Sequence, residues 1–189
     1  AQTNRLIFRI MSEPQSVLFV CLGTKKEYYD KLVEYFSLTD TIVPGNICRS
    51  PMAEAVFAHM VKEKNLSTAI APIDSAGTAG YHVGEKPDSR SAATCKKHGV
   101  PVNSRARKVS KSDFSKFDYI LCMDESNLSD LKHMQPSGSK AVVQLFGDFD
   151  HKGERIIRDP YYGGAEGFEH NFKQVTRASE GFLKHLNLL

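Results

Sequence analysis

Short apolar runs alternate along most of this chain with segments in which apolar residues recur at helical spacing. The apolar runs predict β-strands at residues 16–22, 69–74, 119–123 and 141–145, because parallel strands buried on both faces are apolar throughout. The helical spacing predicts helices beginning near Ser50 and covering 88–98, 124–134 and 168–186. Strands that alternate with helices indicate an α/β fold, here a single-domain, doubly wound parallel sheet of about four strands with helices on both faces.

Residues typical of element boundaries support this division. Ser50 followed by Pro51 is typical of a helix N-terminus, with serine as the cap. Asp88 and Gly99 are typical of the start and the stop of the next helix. The small residues 75–78 predict a turn after the second strand.

Composition narrows the class of protein. A chain of 189 residues suits one domain, and a net charge of +3 with interspersed Lys, Arg, Asp and Glu does not resemble a nucleic-acid-binding surface. The four cysteines have no metal-ligand spacing, and free thiols favour a reducing, cytoplasmic setting. No apolar run approaches the roughly 20 residues of a membrane span, and no signal-peptide pattern is present.

The most informative stretch is the end of the first strand together with the start of the first helix. If residues 24–45 are set aside, the flanks join as Val-Cys-Leu-Gly-Asn-Ile-Cys-Arg-Ser-Pro, with Cys21 and Arg49 in Cys-x5-Arg spacing. A tight loop between a strand and a helix directs backbone N–H groups toward one tetrahedral anion. Those amides and the helix N-terminus would stabilise the Cys21 thiolate as a nucleophile, and the planar Arg49 guanidinium could hold two phosphate oxygens.

These residues resemble the low-molecular-weight protein tyrosine phosphatases, fungal members most of all. The likeness spans nearly all of residues 16–189 outside 24–45, and includes Asp-Ser-Ala-Gly-Thr at 74–78, Pro-Asp-Ser-Arg at 87–90, Cys-Met-Asp-Glu-Ser-Asn-Leu at 122–128 and Asp-Pro-Tyr-Tyr-Gly at 159–163. It implies a phosphatase domain over 11–189, interrupted by an insertion at 24–45. Residues 1–10 have no place in the family pattern and are expected to be a disordered tail or an artefact, the alternative being an added edge strand through residues 6–8.

The resemblance implies hydrolysis of protein tyrosine phosphate, and of aryl phosphates in general, through a phosphocysteine intermediate. Cys21 is then the nucleophile, Arg49 the phosphate clamp and Asp159 the general acid, although Asp-Pro without the resemblance predicts only a turn. No cofactor and no metal is expected, because Arg49 and the loop amides neutralise the phosphate oxygens.

Further site residues follow from the same resemblance. The phosphate-binding loop comprises Leu22, Gly23, Asn46, Ile47, Cys48, Arg49 and Ser50; Ser75 and Asp124 support it; and Tyr161, Tyr162 and Tyr81 line a slot for an aromatic ring. Three of these residues have a plainer alternative: Ser75 as part of a strand-end turn, Ser50 as a helix cap, and Cys48 as a small buried residue. Cys48 could also form a protective disulfide with Cys21 under oxidation.

The expected partners are phosphotyrosine-containing proteins or small aryl phosphates, with no nucleic acid and no membrane, for a monomer or weak dimer. One rival function is a catalytically inactive phosphate- or phosphotyrosine-binding homologue. Another is arsenate reduction, which needs relay thiols that Cys95 and Cys122, in helix and strand contexts, do not suit. Isoleucine at position 47 favours phosphotyrosine, since bacterial relatives acting on phosphoarginine carry threonine there.

The insertion is expected to leave the fold intact, because closing a loop of this length costs only about 2 to 3 kcal/mol beyond a constant. Catalysis is more sensitive, since each misplaced donor to the phosphate costs about 3 kcal/mol. We therefore expect impaired activity. The codons possible at both ends of the segment are compatible with splice sites, so a retained intron is one hypothesis for its origin.

Overall fold

The computed structural model describes residues 15–21, 45–80, 82–161 and 164–189. The predicted tail at 1–10 and all of the insertion except Gly45 lie outside the described residues, as do Leu22, Gly23, Tyr81 and Tyr162. Within the described ranges, no helix is long and apolar enough to cross a membrane.

Four described strands form one parallel sheet in the order β2-β1-β3-β4. Their bounds are Gln15–Cys21 (β1), Ile70–Gly77 (β2), Tyr119–Cys122 (β3) and Val142–Leu145 (β4). This confirms the predicted α/β sheet. Strand β1 lies in the middle, with the later strands added on either side, and a doubly wound sheet binds ligands beyond the carboxyl end of its strands at such a point.

Five described α-helices and one 3₁₀ helix connect and follow the strands. The α-helices are Arg49–Glu63 (α1), Ser89–Lys97 (α2), Asp113–Lys116 (α3), Glu125–Met134 (α4) and Ala165–His185 (α5), and the 3₁₀ helix is Phe146–Phe149. The predicted cap at Asp88 is confirmed, because its carboxylate accepts from the backbone N–H groups of Arg90 and Ser91. Asp124 caps α4 in the same way, accepting from Asn127 N–H at 2.9 Å.

Alternating residues of β1 enter two separate apolar clusters, one on each face of the sheet. Val17, Phe19 and Cys21 belong to the cluster that includes Phe57 of α1 and Phe182 of α5. Leu18 and Val20 belong to the cluster with Leu131 of α4. Helices therefore cover both faces, as predicted, and the alternation places the Cys21 side chain on the same side as α1.

Strand β2 is longer than the sequence suggested. The small residues after Asp74 were predicted to form a turn, but Ser75 pairs with Phe19, Ala76 with Val20 and Gly77 with Cys21. Ser75 and Ala76 are buried, so pairing with β1 satisfies backbone groups that a turn at this place would leave without partners. The carboxyl ends of β1 and β2 consequently lie side by side.

Among the glycines that the structure describes, the tightest contact lies between α5 and the 3₁₀ helix. A Cβ atom at Gly181 would stand 1.9 Å from the carbonyl oxygen of Phe149. Overpacking destabilises a protein by up to about 3 kcal/mol. The higher helix propensity of alanine relative to glycine offsets about 1 kcal/mol of this loss. We expect Gly181→Ala to lower the free energy of unfolding by about 2 kcal/mol in urea titrations. The exposed Lys173→Ala in the same helix is the control, and equal stability of the two variants would contradict the prediction.

Candidate active site

The sulfur of Cys21 lies at the end of β1, is buried, and receives two contacts from residues that follow segment 24–45. The backbone N–H of Asn46 donates to Cys21 Sγ at 3.1 Å, and Ser50 Oγ lies 3.0 Å from the same atom. The residue that follows β2 also contacts Cys21, because the N–H of Thr78 donates to the Cys21 carbonyl. The two flanks of residues 24–45 are therefore in direct contact around the sulfur.

The Ser50 hydroxyl has two partners and only one hydrogen. Its oxygen lies 2.7 Å from Asn46 Oδ1 and 3.0 Å from Cys21 Sγ. When Cys21 carries its proton, the thiol can donate to Ser50, which then donates to Asn46. When the sulfur is a thiolate, the Ser50 hydrogen can turn to it instead. The hydroxyl can thus form a hydrogen bond with Cys21 in either protonation state of the sulfur.

The orientation of Asn46 makes this exchange possible. Asn46 Nδ2 donates to the Ser75 carbonyl at 3.3 Å, so Oδ1 must face Ser50. Its backbone has a φ of 64°, a left-handed conformation that asparagine adopts more readily than most residues. Gly77 allows the close approach of the strand, because a Cβ there would stand 3.1 Å from the carbonyl carbon of Gly45.

Ser50 does not cap α1, contrary to the prediction. The helix begins at Arg49 with Cys48 at the cap position and no side-chain cap hydrogen bond. The physical reason is that the Ser50 hydroxyl, buried inside the first turn, is already shared between Cys21 and Asn46. The helix N-terminus remains available to an anion.

The peptide groups after Asn46 are oriented by the start of α2. The Ile47 carbonyl accepts from Asp88 N–H at 2.8 Å, and the Cys48 carbonyl accepts from Ser91 Oγ at 2.9 Å. The C=O and N–H groups of a trans peptide point in opposite directions. The N–H groups of Cys48 and Arg49 therefore point away from α2, as an anion-binding loop requires.

Arg49 is buried and held on one edge of its guanidinium. Nη1 donates to Asp124 Oδ2 at 2.6 Å and to the Ile157 carbonyl at 2.9 Å. Burial lowers the pKa of Arg49, but the charges of Asp159, Cys21 and Asp124 outweigh burial and raise it, so the side chain stays cationic.

Asp159 faces the other edge of the same guanidinium. Its Oδ2 lies 3.5 Å from Arg49 Nη2, and its side chain is 27% exposed, so a substrate can reach it. Its Oδ1 accepts from Tyr161 N–H at 3.1 Å. Pro160 is buried against the first turn of α5, where a Cβ at Gly167 would stand 3.2 Å from Pro160 Cβ. The loop that carries Asp159 is therefore supported on both sides of the carboxylate.

Glu54 is a member of the network that the sequence reading did not identify. Ser75 Oγ donates to Glu54 Oε2 at 2.5 Å, and the Ser75 carbonyl holds Asn46. Burial raises the pKa of Glu54, and the Ser75 hydrogen bond opposes that shift. The sequence spacing could have indicated this role. Glu54 follows Ser50 by about one helical turn, so the two residues lie on the same side of α1.

The structure brings together most of the residues predicted for the site. Asn46 and Ser50 contact Cys21, and Ser75 holds Asn46. Asp124 and Asp159 contact Arg49, while Ile47 and Cys48 contribute backbone groups. Tyr161 borders Asp159, and the remaining predicted residues are not described. In the described part of the chain, no group of three or more His, Cys, Asp or Glu side chains is placed to hold a metal ion.

The site lies at the carboxyl edge of a doubly wound sheet and combines a buried thiol, the amides of a helix N-terminus and an arginine. This combination is typical of α/β proteins that bind a tetrahedral anion beside a cysteine. The chain belongs to the low molecular weight phosphotyrosine protein phosphatase family, whose model matches residues 41–188.

Relatives and solved structures agree with this assignment. The low molecular weight phosphotyrosine protein phosphatase of Saccharomyces cerevisiae is 52% identical over 143 residues, covering 74% of this chain and 89% of the yeast protein. The protein tyrosine phosphatase from Entamoeba histolytica, solved with Hepes in its active site, has a TM-score of 0.76 at 34% identity and covers 92% of this chain and 97% of its own. A Drosophila arginine phosphatase has a TM-score of 0.73 at 36% identity, with coverages of 89% and 96%.

Proposed function

We propose that this protein hydrolyses tyrosine phosphate in proteins, and small aryl phosphates, through a phosphocysteine intermediate. The observation that carries the proposal is the set of contacts around Cys21 Sγ, which receives Asn46 N–H and lies beside Ser50 Oγ. Arg49 and Asp159 complete the same site. The names of the yeast and amoebic relatives support tyrosine phosphate as the substrate.

In the first step, the Cys21 thiolate attacks phosphorus and the bond from phosphorus to the phenolic oxygen breaks. The electron pair of that bond stays on the leaving oxygen, which takes a proton from the Asp159 carboxyl group. Arg49 and the amides of the loop neutralise the three remaining oxygens, so no metal or cofactor is part of the proposal.

In the second step, water attacks the phosphorus of phosphocysteine. The Asp159 carboxylate, deprotonated in the first step, accepts a proton from this water, and the electron pair of the sulfur–phosphorus bond returns to Cys21. Inorganic phosphate leaves with the thiolate and the carboxylic acid regenerated. Ser50 stabilises the thiolate as it forms, because its hydrogen can turn from Asn46 to the sulfur.

Two residues of the proposed loop, Leu22 and Gly23, directly precede the insertion in the sequence, so we expect the insertion to disturb phosphate binding by their amides most. The contacts of Asn46 and Ser50 with Cys21 support retention of the other half of the loop. Because one lost donor costs about 3 kcal/mol, removal of residues 24–45 is expected to raise kcat about 10²-fold.

A catalytically inactive phosphotyrosine-binding homologue is the second candidate, favoured by the interruption of the loop between Cys21 and Asn46. Arsenate reduction has less support. Burial raises the pKa of Cys95 to about 12 and also raises that of Cys122, so neither is suited to relay electrons as a thiolate. The family resemblance, with isoleucine and not threonine at position 47, supports an aromatic phosphoester over phosphoarginine.

The test compares the full chain with a form lacking residues 24–45 and with Cys21→Ser versions of both as blanks. The assay measures release of phosphate from three substrates: p-nitrophenyl phosphate, a phosphotyrosine peptide and a phosphoarginine peptide. We expect both the full chain and the shortened form to hydrolyse p-nitrophenyl phosphate and the phosphotyrosine peptide. The shortened form should be faster. A full chain that binds the phosphotyrosine peptide without turnover would favour the inactive homologue, and an inert shortened form would reject the proposed chemistry.

We further propose the cytoplasm as the compartment, supported by the four free cysteines, all buried. The proposed assembly is a monomer or weak dimer, which sedimentation of the purified chain would test. Phosphotyrosine-containing proteins are the proposed partners.

A further inference from the structure

The first turn of α2 contacts both loops that would carry the chemistry. Asp88 and Ser91 hold the carbonyls of Ile47 and Cys48 in the nucleophile loop. Between them, Arg90 extends in the other direction, and its Nη1 donates to the carbonyl of Tyr161 at 3.0 Å. One helical turn therefore spans the gap between the Cys21 side and the Asp159 side of the site.

The guanidinium of Arg90 is oriented by contacts on several sides. Nε and Nη2 donate to the two carboxylate oxygens of Asp88 at 3.1 and 2.9 Å. The Cζ atom lies 4.9 Å from the ring centre of Tyr161 and 4.9 Å from that of the buried Phe168. Because Asp88 occupies two of its nitrogens, the third is aimed at the Tyr161 carbonyl.

Tyr161 passes this constraint to the carboxylate. Its N–H donates to Asp159 Oδ1 at 3.1 Å, while Asp159 Oδ2 lies 3.5 Å from Arg49 Nη2. The sequence of contacts runs from Arg90 through Tyr161 to Asp159. We infer that Arg90 is a positioning residue that holds Asp159 in place relative to Cys21, without touching the reacting atoms; this rests on the proposed function.

The kinetic test exploits the leaving group. Phenolate needs a proton from Asp159 as it departs, whereas p-nitrophenolate is stable as an anion and needs it much less. In the full chain, Arg90→Met is expected to lower kcat/KM for phenyl phosphate about 10- to 100-fold, the scale of a small misplacement of a catalytic group. The loss for p-nitrophenyl phosphate should be no more than about threefold. Arg90→Lys keeps the positive charge near Asp88 but lacks the planar guanidinium. Its kcat/KM for phenyl phosphate should lie between those of the parent chain and Arg90→Met.

A double-mutant cycle with Asp159→Asn separates positioning from a general structural effect. If Arg90 acts through Asp159, Arg90→Met should cause no further loss for phenyl phosphate once Asp159 is already asparagine. Arg155→Met is the matched control, because Arg155 is also a partly exposed arginine paired with a carboxylate, Asp148, at 2.6 Å. It should leave both substrates unaffected. Equal losses for the two substrates, or an additive loss in the cycle, would overturn the inference.

Hydrogen exchange provides a readout that does not depend on turnover. In Arg90→Met, the peptide containing the Tyr161 amide should exchange faster than in the parent chain, while α5 keeps its protection. Unchanged exchange would overturn the inference whatever the kinetics. A parent chain that hydrolyses neither phosphate would reject the proposed function, and exchange would then decide whether Arg90 holds the loop.

Discussion

Replacing Cys21 with serine is expected to lower kcat for p-nitrophenyl phosphate by roughly 10⁵- to 10⁶-fold, the scale seen when a hydrolase loses its nucleophile. A hydroxyl gives up its proton far less readily than a thiol. The neighbours of the sulfur do not compensate, because Asn46 N–H is a donor and neither it nor the Ser50 hydroxyl is a general base. The rate would be measured on the same chain with and without the substitution.

Anion binding should survive this change, since Arg49 and the loop amides remain. Calorimetric titration with inorganic phosphate is therefore expected to give similar affinities for the parent and Cys21→Ser. Cys95→Ala is the control, because Cys95 is buried in α2 and burial raises its pKa to about 12, which keeps it protonated. Retention of the rate within about tenfold in Cys21→Ser would contradict its role as nucleophile.

Arg49→Lys is expected to lower kcat by about 10³-fold or more, as loss of an arginine that stabilises transferring phosphate does. Nη1 is occupied by Asp124 and the Ile157 carbonyl, and Nη2 is the nitrogen on the Asp159 side. A lysine has one nitrogen and cannot serve both places. Stopped-flow or steady-state release of p-nitrophenolate would measure the loss.

A second arginine, paired with carboxylates but outside the predicted site, separates this effect from stability. Arg177 of α5 is partly buried and pairs with Asp150 at 2.7 Å and with Glu154 at 3.1 Å. Arg177→Lys should lower the free energy of unfolding while leaving kcat unchanged. If both lysine variants were equally active, Arg49 would be a structural residue and not a phosphate clamp.

The fold followed closely from periodicity. The apolar run at β1 predicted a strand buried on both faces, and Val17, Leu18, Phe19 and Val20 are all fully buried. The cap at Asp88 was correct because a carboxylate next to free N–H groups is a local interaction. The end of β2 was missed, because the pairing of Ser75 and Gly77 with β1 depends on a strand more than fifty positions away.

The site was predictable as a set of residues but not as a set of contacts. Cys21, Arg49 and Asp159 were named from motifs, whereas the choice between helix cap and thiol partner for Ser50 depended on where Asn46 came to lie. Glu54 carries no motif of its own, and Arg90 lies in the Pro-Asp-Ser-Arg motif without a role assigned to it from the sequence. Their importance appears only when β2 and the start of α5 are packed around them.

Local order along the chain was enough to predict the α/β architecture, since helix and strand periods and caps are short-range. The candidate pair Cys21 and Arg49 was recognised from the motif that the two flanks form once residues 24–45 are set aside. Packing alone brought Asn46 back to Cys21 across the intervening residues, fixed Asp159 opposite Arg49, and joined the two loops through α2. Those distances depend on how strands and helices are arranged in three dimensions, and no neighbouring residue in the chain encodes them.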